Sequence, residues 1–186
     1  GDYLSQVNPD GESLSVHLRP SFVALPEDGF QPRVYHPYSG FWKFSYYDYS
    51  TPITAPTEQR FITRHRLAKK TPHSAMSEPV EPIIYYLDPG IPEPVMSSLK
   101  EGASWWNQAF EAAGYKNAFQ VKVLPDDADP MDVNYNVIQW VHRATRGWSY
   151  GSSVVDPRTG EILKGHVTLG SLRVRQDYLI ALGLTS

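Results

Sequence analysis

A chain of 186 residues, 41% hydrophobic and 20% charged, can bury one ordinary core, or a small domain and part of another, and is too apolar to stay disordered. Its net charge of −3 supplies no field that would gather nucleic acid or anionic lipid, and the lack of cysteine excludes disulfides and thiolate metal sites. No apolar run approaches the roughly 20 residues of a membrane-spanning helix, and Gly1-Asp2-Tyr3 has neither the basic start nor the apolar core of a signal peptide, so it reads as an internal start.

Residues 1–80 are rich in Pro, Tyr and Ser and read as a β-rich segment. Short strands are expected over Leu14–Leu18, Phe41–Tyr49 and Arg60–Leu67, punctuated by Pro20, Pro26, Pro32, Pro37, Pro52 and Pro56. With few aliphatic residues to bury, this segment is expected to pack on the C-terminal part of the chain rather than fold alone.

The character changes in residues 81–186. Ile83-Ile84-Tyr85-Tyr86-Leu87, bounded by Pro82 and Asp88-Pro89-Gly90, suits a strand covered on both faces. One long helix is expected from Pro92 to Ala113, about 33 Å at 1.5 Å per residue. Val95, Leu99, Ala103, Trp106, Phe110 and Ala113 form its apolar stripe, and Gly114 is a natural C-terminal stop. The stripe predicts that Trp106 and Phe110 are buried. Strands follow at Phe119–Leu124 and Asn136–His142, the latter with Ile138, Trp140 and His142 on one face. Tyr150–Val155 and Ile162–Leu169 flank Asp156-Pro157-Arg158-Thr159-Gly160, a turn cluster that predicts an antiparallel hairpin. A second helix starts at Leu172, with a modest stripe of Leu172, Gln176, Leu179, Ile180 and Gly183. The order strand, helix, strand, strand, hairpin, helix gives an α/β (α+β) fold with a mixed twisted sheet.

Several segments together resemble one family. Ser104-Trp105-Trp106-Asn107-Gln108-Ala109-Phe110-Glu111-Ala112-Ala113-Gly114 resembles the first helix of metzincin-type bacterial zinc-dependent metalloproteases. So do Val137-Ile138-Gln139-Trp140-Val141-His142-Arg143 and the stretch from Arg146-Gly147-Trp148-Ser149-Tyr150-Gly151 through Asp156-Pro157-Arg158-Thr159-Gly160-Glu161-Ile162. The likeness extends to Phe44-Ser45-Tyr46-Tyr47-Asp48-Tyr49 and Arg64-His65-Arg66-Leu67. The group is the exported family of such proteases with domains of unknown function, related to the metzincin subunit of bacterial enterotoxins.

The resemblance implies the N-terminal half of a metzincin-like catalytic domain, from a parent that is a bacterial zinc metalloendopeptidase in the periplasm, on the cell surface or secreted. In that fold an edge strand, antiparallel to its neighbours, binds extended peptide or protein substrate by strand addition. The matching residues here are Tyr150, Gly151, Ser152, Ser153 and Val154. The zinc helix lies downstream of the helix that begins at Leu172. The chain itself offers no His-Glu-x-x-His: its histidines stand at 17, 36, 65, 73, 142 and 166, no two four apart. No catalytic residue and no zinc ligand is therefore assigned within it, zinc is expected only in the parent, and the chain alone is expected to be inactive. Its expected partner is the remainder of the catalytic domain.

Other constellations carry weaker chemistry. His142 and His166 on neighbouring strands suggest a metal pair, but zinc takes three or four ligands and hydrogen-bonded histidines are the simpler reading. Asp126, Asp127, Asp129 and Asp132 have the ligand type for calcium without the EF-hand spacing, and read as a solvated turn. Arg60, Arg64, His65, Arg66, Lys69 and Lys70 fit one strand with a charged face rather than a nucleic-acid surface. Phe41, Trp42, Phe44, Tyr46, Tyr47 and Tyr49 suit either stacking on sugars or, preferably, packing between sub-domains. The rival function is a non-catalytic peptide- or glycan-binding module on a cell-surface protein. The strand at 150–155 has neither charge nor proline, so self-association through its edge, or a cover from the N-terminal segment, is expected.

Overall fold

The computed structural model describes residues 13, 15–143 and 148–185. Two β-sheets and three helices make an α+β fold among them. Strands β1 (Lys43–Tyr47) and β2 (Glu58–Ile62) form an antiparallel pair. The larger sheet contains β3 (Ile83–Leu87), β4 (Phe119–Val123), β5 (Asn136–Val141), β6 (Tyr150–Val155) and β7 (Ile162–Gly170), in the order β4-β3-β5-β7-β6. Neighbours are parallel throughout except for β6, which runs antiparallel to β7 at the edge.

Between β3 and β4 lie helices α1 (Val95–Ser104) and α2 (Trp106–Ala112); α3 (Leu172–Thr185) follows β7. The expected single helix is thus two. Ser104 Oγ bonds back to the Lys100 carbonyl at 2.6 Å, next to the flexible Gly102. Across the junction the ladder tightens to bonds three residues apart, from Trp105 N–H to Gly102 O (3.3 Å) and from Gln108 N–H to Trp105 O (3.1 Å).

The core sits where α1 covers one face of the sheet, here the front. Leu87, Ile91 and Ile138 are its buried centre, with Val95, Met96, Leu99 and Ala103 of the helix side and Val167 and Leu169 of β7 packed around them. Trp106 is not buried as the stripe predicts: it is 65% exposed. The reason is position: both α1 and α2 sit toward β4, an edge strand, and the space between Trp106 and the strands at the centre of the sheet is left uncovered. Phe110 reaches that strand and stacks on Phe119 (5.8 Å between centroids), half-buried, while Trp106 faces an open groove. In α3 the apolar side chains are spread around the axis instead of forming a stripe, and Tyr178, Leu179, Ile180, Leu182 and Leu184 are exposed.

The N-terminal part differs from expectation in two ways. Residues 15–18 form no strand, and Leu14 lies outside the described residues. The expected strand at 60–67 ends at Ile62, after which only Arg64 bridges to Glu161. No helix among the described residues is long and apolar enough to cross a membrane.

Close packing of the sheet depends on one glycine. A Cβ at Gly165 of β7 would lie 2.7 Å from Tyr85 Cζ and closer still to its hydroxyl oxygen. Tyr85 cannot yield easily, because its ring is wedged between Phe119 (5.5 Å) and His65 (6.2 Å). Gly165→Ala is therefore expected to cost about 1–3 kcal/mol by overpacking. In denaturant unfolding, Tyr85→Phe in the same chain should recover part of that loss; equal losses with and without the hydroxyl would place the strain elsewhere.

Candidate functional site

The hairpin of β6 and β7 closes through Asp156-Pro157-Arg158-Thr159-Gly160. The Asp156 carbonyl accepts from Gly160 N–H at 2.9 Å, and its carboxylate accepts from Arg158 N–H at 2.8 Å. Gly160 holds φ +76°, where a side chain would be strained. The turn sets β6 antiparallel on β7, with Tyr150 opposite Thr168, Ser152 opposite His166 and Val154 opposite Lys164.

Tyr150, Gly151, Ser152, Ser153 and Val154, singled out as the substrate strand, all lie in β6 and are exposed. Among the described residues no strand pairs with the outer edge of β6. Its backbone is thus open to an added strand. Side chains alternate across it, so Tyr150, Ser152 and Val154 share the back face with Thr168, His166 and Lys164, and Gly151 and Ser153 share the front with Val167 and Gly165. The described part of the N-terminal segment flanks this edge without adding a strand: Arg19 to Val23 line a groove on the back face together with Ser152, Ser153 and Val154.

What holds that segment in place was not foreseen from sequence. Asp156 and Glu161, at the two ends of the turn, are 1% and 5% exposed. Arg158 grips Asp156 (Nη2 to Oδ2, 2.7 Å) and also donates to the Pro26 carbonyl at 3.0 Å. Arg66 holds Glu161 in a two-pronged contact of 2.7 and 2.8 Å and donates to the Glu27 carbonyl at 3.1 Å. Arg64 donates to the Gln31 carbonyl and lies over the ring of buried Phe30, 4.1 Å from its centroid. Arg158's hydrogen bonds pull the Asp156 carboxyl below its usual pKa, against the opposing effect of burial.

Lys164 is the second unforeseen element. It is buried, and its ammonium donates to the carbonyls of Pro130, Asp132 and Tyr135 at 2.6–2.7 Å, pinning the loop behind the sheet. Burial lowers its pKa. A lone lysine in the apolar run Ile162-Leu163-Lys164-Gly165-His166-Val167 was the available signal, because a buried ammonium needs three acceptors.

The remaining candidates are dispersed. His142 and His166 do not meet: His166 is opposite Val137, five residues up β5 from His142. His142 bonds Ser171 Oγ at 2.8 Å and His166 bonds Thr168 Oγ1 at 3.1 Å. Asp129 is engaged by Arg19 and by Met131 N–H, and Asp132 by Asn134. Among the described residues no three of His, Asp or Glu converge on a point where a metal would sit. The loop at 144–147 lies outside the described residues. The basic run is divided, with Arg60 on Glu58 and Arg64 and Arg66 turned to the N-terminal segment. The aromatic set is not buried between sub-domains as preferred: Phe44 and Tyr46 are half-buried, but Trp42 and Tyr49 are each 87% exposed and Tyr47 65%.

Among families, a domain of unknown function, DUF5117, matches residues 3–70. No curated protein and no solved structure matches the chain.

His65 gives a pH test of the junction between the N-terminal part and the sheet. Burial lowers its pKa from 6.5 to about 4, with Glu161 opposing more weakly. The unfolded chain thus takes up this proton at higher pH than the folded one. Stability from His65 is fully present above pH 6.5 and is lost as pH falls toward about 4, by on the order of 3 kcal/mol. Denaturant melts across this window should show the loss, and His65→Phe should flatten it; an unchanged slope in the variant would assign the effect to other groups.

Proposed function

We propose that this chain is the scaffold half of an exported bacterial zinc metalloendopeptidase of the metzincin type, and that β6 binds extended peptide substrate by strand addition. The observation that carries the reading is the sheet itself: four parallel strands bordered by one exposed, uncharged antiparallel strand, in the place where the resemblance puts the substrate. An added peptide would draw its affinity from backbone bonds to β6 and its selectivity from alternate side chains. When bound, zinc in such an enzyme polarises the scissile carbonyl and activates water. On this reading none of its ligands is assigned to this chain, whose residues would orient the substrate backbone.

The same reading supplies a partner for the open front face. A groove of about 470 Å³ runs between the sheet and α1–α2, lined by Tyr85, Leu99, Trp106, Phe110 and Val167. The remainder of the catalytic domain would cover it. A second reading, a non-catalytic peptide- or glycan-binding module, is favoured by the exposed rings of Trp42, Tyr47 and Tyr49, the last two stacked at 6.5 Å.

Reading the gene past Ser186 separates the two. A His-Glu-x-x-His sequence within several tens of residues is expected for the peptidase, and a gene without it leaves the binding module. The strand-addition step has its own measurement. Outward amides of residues 150–155 should exchange with deuterium quickly in the free chain and become protected by a saturating uncharged extended peptide. Unchanged exchange would remove β6 as the peptide site.

A further inference from the structure

We propose that the back-face groove beside β6 is a side-chain pocket that gives the edge strand a preference for peptides with a bulky apolar residue. The inference rests on the reading of β6 as the peptide-binding edge.

Strand geometry brings the two together. A peptide paired on β6 must place every second side chain on the face of Tyr150, Ser152 and Val154. On that face lies a groove of about 590 Å³, walled by Phe22 and Val23 of the N-terminal segment, Met131 and Val133 of the pinned loop, and Val154 of β6 itself. That volume falls within the range of roughly 300–1,000 Å³ typical of ligand pockets. Three of the walls are apolar side chains left in water: Phe22 is 100% exposed, Met131 59% and Val154 46%. They come from three separate segments and converge on one space beside an open strand edge.

The charges around the groove are already spent. Lys164 gives its ammonium hydrogens to three carbonyls, Arg19 pairs with Asp129, and the Asp132 carboxylate accepts from Asn134. An ionised side chain entering the groove would lose hydration and meet only the imidazole of His166 and the neutral side chains of Gln139 and Ser152 in place of a full opposite charge, whereas an apolar one would cover exposed apolar surface. The occupant that fits is therefore leucine- or phenylalanine-like, set in an extended peptide.

The test uses the full chain and short blocked polythreonine peptides carrying one variable central residue: Gly, Leu, Phe or Asp. Binding is read by displacement of a fluorescent peptide of the Leu series. Leu and Phe should bind about tenfold more tightly than Gly, and Asp no more tightly than Gly. Phe22→Lys and Met131→Lys, both exposed positions, should bring the Leu-to-Gly ratio toward one, with far-UV circular dichroism reporting an intact fold. Equal affinity for all four peptides would overturn the pocket while leaving the edge-strand reading standing. A Leu preference that survives both substitutions would place it outside this groove. Failure of every peptide to bind would overturn the edge-strand reading and the pocket together.

Discussion

Two carboxylates with almost no exposure, Asp156 and Glu161, tie the molecule together. A buried carboxylate is tolerable only when its lone pairs are taken up, and each here is held by an arginine whose other hydrogen bond reaches a backbone carbonyl of residues 26–27. The carboxylates lie in the turn that positions the edge strand; the carbonyls lie in the N-terminal segment. One network thus fixes the hairpin and the segment beside it. Removing either arginine would leave a desolvated charge as well as a loose segment, so the two parts are energetically one unit at this point.

Placement of β6 follows from that anchorage. An edge strand with neither charge nor proline is prone to slip or fray. Here the register on β7 is set from the closed end by the Asp156–Gly160 turn, and a bulge between Val154 and Val155 separates that turn from the exposed run. The strand stays open to another backbone while its own position is determined. Behind it, Lys164 does for the 130–135 loop what the arginines do for residues 26–31. In both cases a cation satisfies backbone carbonyls of a segment with no strand ladder of its own.

Much of this framework was legible in the sequence. The apolar run Ile83–Leu87 between Pro82 and Asp88-Pro89-Gly90 is β3, and Asp-Pro-Arg-Thr-Gly marks the hairpin turn, because local chemistry decides both. The alternation in Asn136–His142 holds as well, with Ile138 in the helix-covered core and Gln139 on the back face. What failed was whatever depends on who the neighbour is. A stripe containing Trp106 says which side of a helix is apolar, not whether anything covers the space between that side and the sheet, and here the groove is open. The aromatic residues of the N-terminal hairpin carry no signal that distinguishes burial from display. The pairing of Arg66 with Glu161 spans 95 residues, a separation at which no periodicity speaks.

The candidate site inherits this division. The strand and its hairpin are local properties of six residues and a turn, and could be read, while the edge position came from the resemblance; the groove could not be read, since its walls come from residues 22–23, 131–133 and 154. The arginine contacts anchor residues 26–31, next along the chain from the wall at 22–23, and the Lys164 contacts anchor the loop that carries 131–133. On the proposed reading of β6, backbone recognition would need only the hairpin, whereas side-chain selectivity would need the N-terminal segment in place. Loosening the arginine network without disturbing β6 should erode selectivity before it erodes binding, because the open backbone edge remains when one wall of the groove has gone.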